Sequence, residues 1–299
     1  MPATALGLIG LGLMGHGIGK NLLAKGFPVA VYDVDPAAAG RLVELGATAA
    51  RSPKEVAERA EIVITVLPDG PHVEETVNGR EGLLSGAKPG LLLMDCSTID
   101  PAVTERVRAT MLAAGGRMVD AAMTLGPEQA EQGNLIMLVG ATDADYAVVE
   151  PVLTAFSQKI IRAGGPGAGI ALKLVNNLLM LSIYAADVEA LVLGAKAGLK
   201  TEVMLDLLTA TAADNAHLRR TVPNQVLKGD YEPGFRVTLA HKDLGLAQNM
   251  AGRLGVPLFA LNGPRQLYTL ALAEGKGNRS FQVAAQVLEG IVGVSLAED

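Results

Sequence analysis

One cysteine in 299 residues, no tryptophan, four histidines and an aromatic content of 3% define what this chain is short of. A lone Cys96 excludes a disulfide framework and cysteine-based zinc sites, and it suits a reducing, cytoplasmic setting. So few rings leave few platforms for stacking nucleobases. The formal charge is −6, from 25 Lys and Arg against 31 Asp and Glu, with no long run of either sign, so neither a nucleic-acid surface nor a charged tail is expected. His72, His217 and His241 lack partners at chelating spacing, and no metal site is expected. His16 reads as a surface side chain. No secretory leader is read at the N-terminus. The apolar stretch Ile170 to Leu193 is interrupted by Lys173, Asn176, Asn177, Asp187 and Glu189, which reads as a buried helix and not as a membrane span.

What the chain does have is glycine, 35 residues of it, in a composition that is 49% hydrophobic and therefore able to build a large core. Gly10, Gly12 and Gly15 fall at G-x-G-x-x-G spacing, after an apolar strand-length segment (Ala3 to Ile9) and before a helical one (Ile18 to Ala24). In such a turn the first glycine bends the chain, the second lets backbone approach a pyrophosphate and the third packs helix on strand. The phosphates then sit at a helix N-terminus, where N–H groups and the dipole favour anions. About twenty residues on, Asp33 closes a second apolar run, Val29 to Val34, placed to accept from ribose hydroxyls. Its charge would repel a 2′-phosphate, and no Lys or Arg occurs between Asp33 and Arg41, so NAD is expected and NADP is less favoured.

Further apolar runs at Ile62 to Leu67, Leu91 to Cys96, Arg117 to Ala122, Leu135 to Val139 and Lys159 to Arg162 alternate with helical stretches. That alternation predicts an α/β fold, a Rossmann doubly wound, mostly parallel sheet. Ligands bind such sheets beyond the carboxyl ends of the strands, which nominates Leu67-Pro68-Asp69, Ser97-Thr98 and Asp120 to Gly126. At Ala163 to Gly169 a glycine and proline cluster marks a boundary, and the pattern is helical from there on. Helices are expected at Ile170 to Ala197, Thr201 to Thr209, Gln225 to Lys228, His241 to Arg253, Pro264 to Glu274 and Phe281 to Val292. The expected organisation is an NAD-binding domain over residues 1–163 and, joined by a long helix, an all-α substrate and oligomerisation domain over 164–299.

Lys173, Asn176 and Asn177 lie three and four residues apart on that long helix, so the lysine and the asparagines share a face. A snorkelling lysine with asparagines bonding a neighbouring helix is one account of them. The other is hydride transfer, in which negative charge builds on a carbonyl oxygen and a cation able to give up a proton stabilises it. Lys173 suits that role, with Asn177 orienting the oxygen and Asn176 beside it.

GLGLMGHGIGKNL at Gly10, LPDG at Leu67, CSTID at Cys96, GAGIALKLVNN at Gly167 and LAHKDLG at Leu239 together resemble the β-hydroxyacid dehydrogenase family over nearly the whole chain. The resemblance implies an NAD-dependent enzyme interconverting a short β-hydroxyacid and its semialdehyde, of 3-hydroxyisobutyrate or tartronate semialdehyde type, with Lys173 as general acid/base and Asn177 beside it. It implies cofactor contacts at Gly10, Leu11, Gly12, Leu13, Met14, Gly15, Asp33, Leu67, Pro68, Thr98 and Lys242. Substrate contacts are implied at Thr124, Leu125, Gly126, Asn176 and Asp243. The partner is a small acidic aldehyde or hydroxyacid, and a homodimer or homotetramer is expected. The family's substrate loop reads D-A-P-V-S-G-G, whereas here Ala122 replaces the proline, Thr124 the serine and Leu125 a glycine. The second half is most similar to the reductases of sulfonate-bearing aldehydes, whose loop carries an arginine at the place of Leu125, and such a reductase is the alternative. An alternative from another class is a non-catalytic NAD-binding scaffold, which would be free to lose Lys173.

Overall fold

The computed structural model describes residues 4–232 and 234–297. Ala3, where the first strand is expected to start, and residues 298–299 of the expected second domain lie outside them. Two compact units divide the chain, Met1–Lys173 and Leu174–Asp299, so the division falls inside the long helix, beyond the glycine and proline cluster.

In the first unit eight strands form one sheet: β1 (Leu6–Ile9), β2 (Val29–Tyr32), β3 (Thr48–Ala49), β4 (Ile62–Thr65), β5 (Leu92–Asp95), β6 (Arg117–Thr124), β7 (Leu135–Gly140) and β8 (Ser157–Gly164). Their order is β3-β2-β1-β4-β5-β6-β7-β8, the chain starting in the middle and winding outward both ways. All pairings are parallel except β6 with β7. Alternate residues of single strands enter different cores: Ile62, Ile64, Leu92 and Met94 join one apolar cluster, while Val63 and Leu93 join another. A strand apolar on both faces is what a parallel sheet covered by helices on each side requires.

The sheet differs from the expectation in several bounds, among them β1, which starts at Leu6, and β8, which runs from Ser157 to Gly164 where Lys159 to Arg162 is expected, and two further features stand out. β3 has only two residues, both exposed, and so carries no apolar run to read. β6 runs two residues past Ala122, because antiparallel pairing with β7 carries the ladder on to Thr124.

The second unit is built from helices, apart from an isolated bridge between Arg236 and Ser280. The helix Ala168–Lys196 begins in the first unit and contributes Leu174, Leu181, Tyr184, Val188 and Leu191 to the second unit's core. By length and hydropathy it could cross a membrane, yet half of its most apolar stretch is buried within the protein, the behaviour of a core helix. Thr201–Thr209, Val237–Leu254 and Pro264–Ala273 follow close to expectation, and the last helix opens with a 3-10 turn, Phe281–Val283. The short helix expected at Gln225 to Lys228 is instead the end of a wide π-type helix, His217–Val226. Pro223 inside it has no N–H to donate and would clash in an α-helix, which hides the segment from a search for 3.6-residue periodicity.

Candidate active site

The glycine turn leaves β1 and enters the helix Leu13–Ala24. Gly10 takes φ +89°, and a Cβ there would stand 2.2 Å from the Val66 carbonyl oxygen, so only glycine lets β1 cross the end of β4 this closely. A Cβ on Gly15 would meet the Gly10 carbonyl oxygen at 1.9 Å, which makes Gly15 the contact between helix and turn. Gly12 is different, because a Cβ there meets nothing within 4 Å. Asp35, Ser52, Asp69, Asp100 and Thr142 cap other helices of this unit with their side chains, whereas Gly12 brings none to the first turn of its helix. Backbone N–H groups with open space above them and no capping oxygen suit a pyrophosphate.

Asp33 lies just beyond β2 and is tied to this turn. Its carboxylate accepts from Leu11 N–H at 2.6 Å and from Asp35 N–H at 2.9 Å. The acid is thereby held beside the turn, as a ribose contact needs. Leu11 is buried, while Leu13 is exposed. These residues fit a dinucleotide by space, donor supply and charge.

Two further loops leave parallel strands on the same side. After β4, Leu67 N–H donates to Ser97 Oγ at 2.9 Å, tying the Leu67-Pro68 loop to the Ser97-Thr98 loop after β5. Beneath them Asp95 Oδ1 accepts from Thr65 Oγ1 at 2.8 Å and from Ser97 N–H at 3.1 Å. Full burial pushes the Asp95 carboxyl up to about 6, with Asp120 on the neighbouring strand adding to the rise and the bonds from Ser97 and Thr65 opposing it. The same burial pushes the Cys96 thiol well up, which leaves it an inert core group. Ser97 lies in the segment nominated from the strand ends, whereas Asp95 and Thr65 escape a motif search because a polar residue at the end of an apolar strand has no periodic signature.

At the end of β6 the loop expected to meet substrate holds the sole non-glycine residue with positive φ among the described residues, Leu125 at 75°. Its side chain is half exposed, and Gly126 N–H next to it donates to Gln129 Oε1 at 3.1 Å. Thr124 Oγ1 bonds weakly to the Ile136 carbonyl at 3.5 Å. The short helix that follows, Pro127–Glu131, is fastened to the dinucleotide helix. Glu131 accepts from Lys20 at 2.9 Å and pairs with His16 at 2.7 Å, and Asn21 donates to the Ala130 carbonyl at 2.9 Å. His16 is therefore a tie between two helices and not the surface side chain expected, because its partner lies 115 residues away in sequence.

In the second unit a short polar chain links the exposed Asn176 to two buried groups. Asn176 Nδ2 donates to Asn177 Oδ1 at 3.1 Å, and Asn177 Nδ2 donates to Asp243 Oδ2 at 2.7 Å. The other Asp243 oxygen lies 3.3 Å from Lys242 Nζ. Asn177 and Asp243 are each 2% exposed, so their amide and carboxylate are fixed by one another. Lys173 is one helical turn before Asn177, on the same helix.

Comparison with known proteins agrees with this architecture. Residues 5–165 match the family model described as the NAD binding domain of 6-phosphogluconate dehydrogenase, and residues 167–288 match that of NADP-dependent 3-hydroxyisobutyrate dehydrogenase. The chain is 36% identical to 3-sulfolactaldehyde reductase of Escherichia coli, over 98% of each chain. It is 35% identical to 2-(hydroxymethyl)glutarate dehydrogenase of Eubacterium barkeri, over 98% of this chain and 97% of the other. A solved structure of Mycobacterium tuberculosis 3-hydroxyisobutyrate dehydrogenase with L-serine superposes with a TM-score of 0.88 at 30% identity, covering 96% of this chain and 99% of that one. With a dinucleotide turn, a polar chain following a lysine on the long helix, and matches of this extent, the chain belongs to the β-hydroxyacid dehydrogenase family of NAD(P)-dependent oxidoreductases.

Proposed function

We propose that this protein interconverts a short β-hydroxyacid and its semialdehyde, of 3-hydroxyisobutyrate or tartronate semialdehyde type, using NAD. The observation that carries the reading is the set Lys173, Asn176, Asn177 and Asp243, in which the Asn177 amide donates to the buried Asp243 carboxylate at 2.7 Å. The bound dinucleotide supplies or accepts the hydride. Lys173 gives a proton to the carbonyl oxygen during reduction and takes it from the hydroxyl during oxidation. Asn177, oriented by Asp243, holds that oxygen, with Asn176 beside it. Thr124 and the backbone at Leu125 and Gly126 receive the acid group. On the cofactor side Gly10 to Gly15 take the pyrophosphate, Asp33 takes the adenosine ribose, and Leu67, Pro68, Thr98 and Lys242 line the remainder. The Asp33 carboxylate favours NAD over NADP.

The relative acting on 3-sulfolactaldehyde supports a second reading, reduction of a sulfonate-bearing aldehyde. Against it stands Leu125, which brings no cation to the loop. A panel of 3-hydroxyisobutyrate, glycerate, L-serine and 2,3-dihydroxypropane-1-sulfonate, each assayed with NAD and with NADP, decides between substrates and cofactors. NAD-dependent turnover of a carboxylate substrate is expected. Preference for the sulfonate would move the assignment to the second reading, and preference for NADP would overturn the role given to Asp33. On the best substrate, Lys173→Ala is expected to lower kcat about a hundredfold to ten-thousandfold while NADH still binds. Near-normal turnover in that variant would overturn the role given to Lys173, whereas NADH binding without turnover of any substrate by the wild type would leave a dinucleotide-binding scaffold. The buried single cysteine fits a cytoplasmic enzyme, and apolar side chains exposed on the second unit fit a homodimer or homotetramer.

A further inference from the structure

Asp120 sits on β6 with Asp95 on β5 and Gly140 on β7 as its strand partners, and it is only 4% exposed. Its carboxylate is turned away from solvent and toward backbone N–H groups. Oδ1 accepts from Gly167 N–H at 2.6 Å and Oδ2 accepts from Ile170 N–H at 2.9 Å. One carboxylate thus ties the residue just before the helix Ala168–Lys196 to an N–H of its first turn, where its charge also suits the helix dipole.

The joint is built for close approach. A Cβ on Gly140 would stand 2.5 Å from Asp120 Oδ1, and a Cβ on Gly169 would stand 2.4 Å from the Leu138 carbonyl oxygen and 2.9 Å from that of Asp120. The start of the helix therefore rests on the backbone of β6 and β7 with no side chain between. Lys173 is one turn beyond Gly169 and three residues beyond Ile170. A serine or threonine at a helix start typically caps through one hydroxyl, whereas two carboxylate oxygens, each holding one backbone donor, fix rotation as well as height.

We propose that Asp120 is the positioning residue for Lys173: by clamping the first turn of the long helix to the sheet it sets where the lysine ammonium stands relative to the reacting oxygen. The proposal rests on Lys173 being the general acid/base. An acid/base displaced by about 1 Å can lose on the order of a hundredfold in rate, so the clamp has a direct kinetic consequence. Burial raises the Asp120 carboxyl against the opposing pull of the backbone donors.

The test uses the full-length protein as Asp120→Asn, Lys173→Ala and the double variant, assayed with NAD and the best substrate of the panel above. In Asp120→Asn an NH2 replaces one accepting oxygen and faces a backbone N–H. The expected result is a kcat about tenfold to a hundredfold down, NADH affinity within about threefold of wild type, and a double variant no slower than Lys173→Ala alone within about threefold. The acid limb of the kcat profile for oxidation is expected to move, because a displaced Lys173 ammonium meets different surroundings, and an unmoved limb beside a lowered kcat would overturn the proposal. Wild-type kcat in Asp120→Asn beside a crippled Lys173→Ala overturns the clamp and leaves the acid/base reading standing. Losses that multiply in the double variant overturn it too, since Asp120 would then act independently of the lysine. Near-normal Lys173→Ala removes the acid/base reading itself. Should Asp120→Asn fail to fold, Asp120→Ser, which retains one accepting oxygen and caps helices well, is expected to show the same kcat-only loss, and a loss confined to KM would overturn the proposal.

Discussion

Gly12 and Gly15 belong to one turn, yet a methyl group on each has a different fate. On Gly15 it would collide with the Gly10 carbonyl oxygen at 1.9 Å, and on Gly12 it would meet no protein atom within 4 Å. Gly12 also has φ −61° and ψ −168°, an extended conformation open to any residue. Gly15→Ala is accordingly expected to destabilise the fold by about 1–3 kcal/mol, as overpacking does. Gly12→Ala is expected to leave the melting temperature unchanged while weakening NADH binding about tenfold or more, since that space belongs to the pyrophosphate. Parallel thermal melts and NADH titrations distinguish the two, and normal binding by Gly12→Ala would displace the dinucleotide from this turn. Leu125 poses the reverse case, a branched residue in left-handed backbone that costs about 1–2 kcal/mol. Leu125→Gly relieves that strain, offset by about 0.5–1 kcal/mol of chain entropy, so stability is expected to hold or rise slightly while the ranking of the substrate panel changes. A lower melting temperature would show that Leu125 packs usefully in the fold. The glycine spacing made the turn readable without coordinates. The strain at Leu125 was not readable, because φ is set by how β6 hands over to the helix at Pro127.

Among the elements, β5 carries a cost that varies with pH. Asp95 is raised from 3.8 to about 6 by burial, so between those values the folded protein holds a proton that the unfolded chain has released. Stability from this group is greatest at low pH and falls as pH rises from about 4 to about 6, by on the order of 3 kcal/mol. Asp95→Asn keeps the Oδ1 acceptor used by Thr65 and Ser97 and removes the titration. Urea unfolding at pH 4.5 and pH 7 is expected to show a smaller decline with pH in the variant than in wild type, and identical declines would mean that Asp95 titrates normally. Element types in the sheet unit followed from apolar runs because both faces of each strand are buried. The π-type helix His217–Val226 did not, since Pro223 breaks the helical pattern that its tertiary packing tolerates.

For the whole molecule, the second unit leaves apolar side chains exposed that its own core does not cover. Val203 and Leu207 are 61% and 63% exposed on one face of the helix Thr201–Thr209, and Leu193 on the long helix is 73% exposed. Light scattering is expected to show a dimer or tetramer that Val203→Glu combined with Leu207→Glu weakens, and a monomeric wild type would exclude this.

Sequence by itself determined the dinucleotide turn, the parallel alternation and the Lys173, Asn176 and Asn177 face, because each depends on residues a few positions apart along one strand, turn or helix. Only the tertiary structure decided what holds those groups. The acceptor of Leu11 N–H is 22 residues away at Asp33, the clamp on Gly167 is 47 residues away at Asp120, and the partner of Asn177 is 66 residues away at Asp243. Carboxylates find such partners only when the sheet and the helices have brought distant segments together, and burial there, not local pattern, sets their charge and their geometry.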